Sequence, residues 1–531
     1  MTPPAPDDAV AQSAIHEYLY TRQQRRRIFP RAALVGFVAG IVAVAFRIAL
    51  VEGERVRVSL LHWAHDHGAL GWLFPLLFGA LGAAISVLLV RSYSPEATGS
   101  GIPHLKAVLG QYRMLDGSRV LPVKFFGGTL ALGSGLTLGR EGPTVQMGAA
   151  VADLLSGPLK ATPKERLTLL AAGAGAGLAA AFNAPLSGLI FVVEELEGTF
   201  RPIVFGAAFI AAAVADIVTR SASGPYPVLK VPSYPIPPLG SLPVFLLLGL
   251  LAGGIGVLFN RSLLGMQTTW KRLPTTWMVP MAGLVGACVG LLSWFVPGVV
   301  GSSHDLFELT LTGKVALTLV PLWFGLRFLL TVGSYSTTAP GGIFAPILIL
   351  GALLGLAVGQ IAHHIAPGIL PEVGACAVVG MAALLTAIVR APLTGIVMIL
   401  EMTGDYHQML PVIVACFGAY IGAELLNDRP IYEALLERDL AVNGGPPPAK
   451  KPVVAEFEVE PGSRFENTLV RDLGLPSGCL LVRCSTKEQE VTPTADTRLH
   501  AHDWITAVID ANTPGGLMYL KEGCQPEHHR D

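Results

Sequence analysis

Long stretches without any charged side chain constrain this chain more than any other feature. The segments 69–90, 273–303 and 328–371 contain no Lys, Arg, Asp or Glu. Runs of about 18 or more apolar residues are long enough to cross roughly 30 Å of hydrocarbon. The sequence therefore predicts a polytopic membrane protein that is all-α in its membrane part. It excludes a soluble enzyme and a secreted disulfide scaffold.

The charge balance and the chemistry-bearing residues exclude further classes of function. A formal net charge of −1 provides no basic field for DNA or RNA, so we expect no nucleic-acid partner. The six cysteines include no CxxC pair and no Cys/His cluster, so we expect no metal and no cofactor. Neither HExxH nor GxSxG occurs, which argues against a membrane enzyme such as an intramembrane protease.

Glycine and proline are unusually frequent. The 60 Gly and 40 Pro make up about 19% of the 531 residues, against an average share of about 12%. Proline removes a helical hydrogen bond, and interrupted helices at membrane depth are tolerated where the broken backbone is buried or lines a cavity. We therefore predict broken helices, with apolar segments shortened or interrupted at Pro122, Pro143, Pro185, Pro346 and Pro392.

A polar segment precedes the first apolar run. It contains Arg22, Arg25, Arg26 and Arg27, and the positive-inside rule places such a segment in the cytoplasm. We do not expect a secretory signal, because the apolar run is too long and no small-residue cleavage site follows it. The predicted organisation is a cytoplasmic segment at 1–30 and a membrane domain at 31–440.

The composition changes at NGGPPP (443–448), and the remaining residues are more strongly charged. Within them, CLLVR (479–483) and WITAVI (504–509) have the pattern of β-strands. We predict a linker at 441–455 and a small soluble α+β domain at 456–531. This domain shares the cytoplasmic side with the N-terminus if the number of spans is even.

An internal repeat divides the membrane part. APLSGLIFVVE (184–194) matches APLTGIVMILE (391–401), and GREGP (139–143) matches GIFAP (342–346). Two matched blocks in the same order predict homologous halves at roughly 31–220 and 240–440. Such halves often pack with opposite topology, with the substrate site where their broken helices meet. The repeat alone leaves their relative orientation open.

Three motifs each open an apolar segment: GSGIP (99–103), GREGP (139–143) and GGIFAP (341–346). Proline suits the first helical turn, and glycine lets the backbone approach a ligand closely. The free amides and the positive dipole end of a helix favour anions. We therefore expect a small anion, and not a cation, to be held by backbone amides and hydroxyl groups.

One of these motifs contains a carboxylate. Glu141 stands in GREGP, whereas the matching residue of the other half is Phe344, so the repeat itself does not require an acid there. A glutamate at a helix start can simply favour the dipole. At membrane depth, however, a central charge costs at least about 2.5–3.5 kcal/mol, which favours a functional role. Glu141 is suited to occupy the anion site itself and to leave it when protonated.

The other candidates have structural explanations beside functional ones. Ser100 can cap a helix, and Tyr432 can be an interfacial aromatic residue. A helix that ends in interfacial water would account for Glu194 and Glu195. Two arginines are expected to be structural, pairing with carbonyls or carboxylates: Arg140 and Arg390.

Together these motifs resemble the CLC chloride channel and transporter family. The resemblance is carried by GSGIP, GREGP and GGIFAP, together with AAFNAPLSG (180–188), RAPLTG (390–395) and Tyr432, and it covers about residues 31–440. It implies an inverted-repeat fold, a homodimer with one pore in each subunit, and anion selectivity. It also implies a multi-pass protein among the lipids of the cell membrane.

The resemblance implies roles for single residues. The hydroxyls of Ser100 and Tyr432 and the backbone amides of Ile343 and Phe344 would bind the central chloride. Glu141 is similar to the external gating glutamate, which competes with chloride and carries a proton when it is displaced.

A second acid bears on proton coupling. Glu195 is similar to the internal proton-transfer glutamate of the exchangers, and channels of the family usually lack an acid there. Glu194 would help water or protons reach the pathway. The remaining motif residues would support the site: Gly99, Gly101, Gly139, Arg140 and Gly142.

The resemblance thus implies a secondary active chloride/proton antiporter, with a passive chloride channel as the alternative. Ser100 favours chloride, because nitrate-preferring relatives carry Pro there and fluoride exporters differ around the first two motifs. The chain departs from many members at His104, where an acid commonly follows GSGIP.

The C-terminal part does not resemble paired CBS modules. Residues 480–509 are similar to the TrkA-C (RCK C-terminal) module, although His502 stands where Gly is usual before Asp503. This resemblance implies either the sensing of a small-molecule ligand or a role in dimerisation or folding.

Overall fold

A computed structural model describes residues 6–66, 68–301, 304–368, 372–442, 453–485, 490–510 and 515–525. The chain forms two compact units, one ending at Leu436 and the other beginning at Glu437. The NGGPPP segment lies outside the described residues.

The first half of the membrane unit contains eight described helices. They are α1 (Pro6–His65), α2 (Leu73–Tyr93), α3 (Ile102–Leu109), α4 (Gly117–Gly133), α5 (Glu141–Ser156), α6 (Pro163–Phe182), α7 (Pro185–Phe191) and α8 (Pro202–Ser223). A π-helical turn, Val192–Glu197, extends α7.

The second half continues with nine described helices. They are α9 (Leu242–Lys271), α10 (Met278–Phe295), α11 (His304–Leu311), α12 (Val320–Ser336), α13 (Phe344–Ile365), α14 (Val373–Val389), α15 (Pro392–Thr403), α16 (Met409–Leu425) and α17 (Ile431–Val442). The last of these helices continues past Leu436 into the second unit.

Seven helical segments among the described residues are long and apolar enough to cross a membrane. They are Gln24–His65, Leu73–Tyr93, Pro202–Ser223, Leu239–Lys271, Thr275–Phe295, Phe344–Ile365 and Tyr406–Leu425. Several of the remaining apolar helices are too short to span the hydrocarbon alone, such as α7 and α15. The prediction of a multi-pass membrane protein with broken helices is therefore confirmed.

Four of the five predicted prolines lie at or near helix starts, and one lies inside a helix. Pro185 and Pro392 begin α7 and α15, and Pro143 and Pro346 lie in the first turns of α5 and α13. The prediction for Pro122 was wrong, because it lies inside α4 without ending the helix. A proline there removes one hydrogen bond near the helix start, and the packing of α4 against α2 and α5 keeps the helix continuous.

The repeated blocks form the same close-packed helix pair in each half. α5 packs on α6, and α13 packs on α14. A Cβ atom on Gly148 would overlap the carbonyl of Gly173, and one on Gly351 would overlap that of Gly380. Small residues at such contacts let membrane helices approach closely. The repeated sequence blocks therefore form the same close helix packing in both halves.

The two halves are inverted relative to each other. Glu194 follows α7, and its carboxylate accepts hydrogen bonds from the amides of the second and third residues of α15, at 3.0 and 2.7 Å. Glu401 lies near the end of α15 and accepts bonds from the second and third amides of α7, at 3.0 and 2.8 Å. The hydroxyls of Thr394 and Ser187 donate to the same two carboxylates. Since each helix end reaches the other helix start, α7 and α15 run antiparallel. We call this pair of acids, Glu194 and Glu401, the carboxylate clasp.

The C-terminal unit is a small α+β domain. Its strands are β1 (Val453–Glu458), β2 (Cys479–Ser485), β3 (Glu490–Val491) and β4 (Trp504–Ile509), paired antiparallel in the order β1-β4-β2-β3. Helix α18 (Gly516–Cys524) places Leu520 in a core with Phe465, Leu481 and Ile505. Both predicted strands are present.

Candidate functional site

The starts of α3, α5 and α13 converge. The backbones of Gly139 and Gly342 exchange two hydrogen bonds, of 2.8 and 2.6 Å. The amide of Gly341 also donates to the carbonyl of Gly99, at 2.9 Å. Residues from both halves therefore surround one place, where three helix N-termini lie close together.

Two motif glycines allow this close approach. Gly101 has φ +78°, and a Cβ atom there would overlap the side chain of Gln146. A Cβ atom on Gly142 would lie 2.8 Å from the Cα atom of Ser100. Larger residues would therefore push the first motif away from the start of α5.

Glu141 turns its carboxylate toward the other half. The side chain is fully buried, and its Oε1 accepts a hydrogen bond from the amide of Ala345 at 3.1 Å. Ile343 and Phe344, which stand at the start of α13 next to this amide, are both buried. Within the described part of the chain, Oε2 has no hydrogen-bond partner. The carboxylate thus lies at the positive end of α13, where an anion is stabilised.

Ser100 is buried next to this position. Its Oγ accepts hydrogen bonds from the amide of Ile102 and from the hydroxyl of Tyr335, each at 3.3 Å. The bond to the Ile102 amide is the helix-start contact expected of a structural serine. Because Oγ acts as acceptor in both bonds, the Ser100 proton is left to be donated elsewhere. Tyr335 was not predicted, because α12 contains none of the motifs.

Tyr432 lies in the first turn of α17 and is fully buried. Its ring centroid is 6.0 Å from that of Phe344. The hydroxyl has no hydrogen-bond partner among the described residues. Since a buried polar group without a partner costs about 1–3 kcal/mol, this hydroxyl is suited to a ligand that accepts a hydrogen bond. A fully buried side chain does not fit the alternative of an interfacial aromatic residue.

Three cations near the motifs have structural contacts. Lys124 is fully buried in α4, and its Nζ donates to the carbonyls of Ala97 and Gly99 at 2.9 and 2.7 Å. Arg140 donates to the carbonyl of Ala181 at 2.9 Å, and Arg390 lies 3.3 Å from a carboxylate oxygen of Glu424. Lys124 was missed, although a lysine inside an apolar segment was a signal that could have revealed it.

Glu195 is buried in the π-helical turn and paired with a cation. Its Oε1 lies 2.8 Å from the Nζ of Lys106, on α3. Only 7% of the Glu195 side chain and 14% of the Lys106 side chain are exposed, so this is a buried ion pair. A helix end in interfacial water does not describe it. Lys106 was not predicted.

Glu194 has a different environment from its neighbour. Both of its carboxylate oxygens accept hydrogen bonds in the clasp. These contacts are those of a helix cap. The expected role of Glu194 in helping water or protons reach the pathway stays a prediction.

His104 is the residue at which the chain departs from the common motif. Its Nδ1 atom lies 3.3 Å from the Nε2 atom of Gln146. That amide also donates to the carbonyl of Glu96.

The described residues contain no group of three or more His, Cys, Asp or Glu side chains that could hold a metal ion. The six cysteines, all in described segments, are free thiols. The chemistry that the site offers is that of backbone amides at helix starts, which suit an anion, and of buried carboxylates, which can carry protons.

Comparison with known proteins identifies the family. Residues 82–424 match the family described as "Voltage gated chloride channel". The chain belongs to this family. The resemblance of its motifs to CLC proteins is therefore confirmed. Residues 454–513 match the TrkA-C domain, so the resemblance of the C-terminal part is confirmed as well.

Individual CLC proteins extend the comparison. The chain is 40% identical over 440 residues to the H⁺/Cl⁻ exchange transporter ClcA of Salmonella paratyphi A, covering 80% of this chain and 93% of that protein. It is 41% identical over 417 residues to ClcA of Klebsiella pneumoniae, covering 77% and 88%. A crystal structure of a slow cyanobacterial Cl⁻/H⁺ antiporter matches with a TM-score of 0.76 and 35% identity, covering 79% of this chain and 99% of that one.

Proposed function

We propose that this protein is a secondary active antiporter that exchanges chloride for protons. The observation that carries the proposal is the buried carboxylate of Glu141 at the amide end of α13. A chloride ion and this carboxylate each carry one negative charge, so the same backbone amides can stabilise either of them. The relatives named as H⁺/Cl⁻ exchangers support the same activity.

The mechanism is mutual exclusion at one site. When chloride binds between the Ser100 and Tyr432 hydroxyls and the start of α13, the Glu141 carboxylate has to leave. It then takes a proton, because an ionised carboxylate away from the helix end loses its stabilising amides. When the proton is released, the carboxylate returns and displaces chloride. By linkage, chloride and the proton each strengthen the other's binding by the same factor, because both keep the carboxylate away from the start of α13.

Glu195 supplies the second proton position. It is buried and lies away from the amides that hold Glu141, so a proton can exchange there without competing directly with chloride. An acid at this position also favours an exchanger over a passive channel, as the family resemblance implies. Glu194 would assist by keeping the turn next to Glu195 in place.

The proposal is tested in liposomes that contain the purified protein and carry a chloride gradient. We expect wild type to drive protons uphill. Glu141→Ala should lose the proton movement and keep chloride flux, because alanine leaves the start of α13 open to the anion. Glu52→Gln is the control, since Glu52 is exposed on α1. Chloride flux without proton movement in wild type would contradict the proposal and indicate a passive channel.

We place the protein in the cell membrane with both termini in the cytoplasm. The exposed side chains of Arg25, Arg26 and Arg27 at the start of the first span support this orientation. A membrane-impermeant label should reach the N-terminus in inverted vesicles and not in intact cells.

We further propose that the protein is a homodimer, as the family resemblance implies. Light scattering of the purified protein in detergent would test this.

For the C-terminal unit, the TrkA-C match supports binding of a small-molecule ligand. The alternative is a role only in dimerisation or folding. Transport by the membrane unit without this domain, which can be measured directly, would show that the domain is not needed for its folding.

A further inference from the structure

The ion pair between Lys106 and Glu195 joins two parts of the site. Lys106 lies four residues after Ile102, whose amide contacts Ser100, so about one helical turn separates it from the anion motif. Its ammonium group contacts the acid that we assign to proton transfer. One short helix, α3, therefore links the anion position to the proton position.

A second carboxylate lies within reach of the same ammonium group. The Nζ of Lys106 is 4.0 Å from Oε1 of Glu433, on α17. The Glu433 side chain is 58% exposed, whereas that of Glu195 is 7% exposed. Lys106 thus stands between a buried acid and a solvent-accessible acid, with the shorter contact to the buried one.

Most of the other charged groups in this turn and in the elements that pack on it have contacts elsewhere. Glu194, in the same turn, belongs to the clasp. α6 and α8 also pack on this turn. The ionisable residues of α6 lie in its first turn, and two of them pair with Arg31 and Asp153; those of α8, Asp216 and Arg220, pair with each other. Lys106, by contrast, is in direct contact with Glu195.

We propose that Lys106 is a positioning residue that sets the pH range of proton exchange by alternating between Glu195 and Glu433. While Lys106 contacts Glu195, the ammonium charge favours the ionised carboxylate and holds it in place. When Glu195 takes a proton from water, the attraction weakens and Lys106 turns to Glu433. The inference rests on the proposed antiport function.

The test is the internal-pH dependence of chloride-driven proton flux in liposomes, with chloride flux recorded on the same samples. Removing the cation in Lys106→Gln should move the midpoint to higher pH by about one to three units, because Glu195 then binds a proton more readily. Lys106→Arg should stay close to wild type, because the charge remains. Glu433→Gln should move the midpoint the other way, because Lys106 then stays on Glu195.

The outcomes separate the two proposals. A wild type that moves chloride without protons overturns the antiport function and this inference with it. A wild type that pumps protons, with the same midpoint in Lys106→Gln, overturns the inference alone. If Lys106→Gln does not fold, Glu433→Gln decides: an unchanged midpoint overturns the inference, and a shift to lower pH supports it.

Discussion

The unpaired hydroxyl of Tyr432 indicates a binding site. It is buried and has no hydrogen-bond partner in the part of the chain that the structure describes. Folding is expected to leave such a group unpaired only where function requires it, because the unpaired state is costly. Chloride would accept a hydrogen bond from this hydroxyl, as it would from that of Ser100.

We therefore predict that Tyr432→Phe weakens chloride binding by about 10- to 100-fold, since a hydrogen bond to a charged group contributes about 1.5–3 kcal/mol. Isothermal titration with chloride would measure the change. Tyr420→Phe is a matched control, because Tyr420 is an exposed tyrosine on α16. Equal affinities in wild type and Tyr432→Phe would show that the phenol does not bind the anion.

At the scale of the helices, the carboxylate clasp explains why both repeats end in an acid. Glu194 and Glu401 occupy matching positions, and each satisfies amides at the start of the other half's short helix. Those amides have no partner within their own helix. The clasp therefore stabilises the starts of two short helices with one symmetric pair of side chains.

We predict that Glu194→Gln and Glu401→Gln destabilise the protein by similar amounts, about 1–3 kcal/mol each, because an amide group keeps only one acceptor oxygen. Thermal unfolding of the two purified variants would measure this, and each serves as the control for the other. If only Glu194→Gln also slows proton flux, Glu194 acts in proton movement beyond its structural role.

At the scale of the whole molecule, all the predicted transport residues lie in the membrane unit. This unit and the C-terminal unit have separate hydrophobic cores. We predict that a chain ending after Val442 still exchanges chloride for protons in liposomes, at a rate within a few-fold of the full chain. Loss of both fluxes in a folded variant of this length would show that transport needs the C-terminal unit.

The sequence was informative where local patterns determine structure. Motifs with Gly and Pro predicted the helix starts, and the matched blocks predicted two halves. Contacts between distant residues were missed, because no local pattern specifies them: Tyr335 reaches Ser100 across 235 positions, and Lys106 reaches Glu195 across 89. Pro122 was misjudged because helix packing outweighs a single lost hydrogen bond. The match of Glu194 with Glu401 was visible in the repeat, but its meaning required the antiparallel arrangement of α7 and α15.

The clasp also restricts how the molecule can move. Many transporters with inverted repeats open alternately to each side by rigid-body rocking of one half against the other. Here such a rotation would have to break the hydrogen bonds of both carboxylates at once, together with the bonds between Gly139 and Gly342. Movement of the Glu141 side chain alone breaks far fewer hydrogen bonds. The architecture therefore favours a transporter whose frame stays still while a single side chain opens and closes access to the ion.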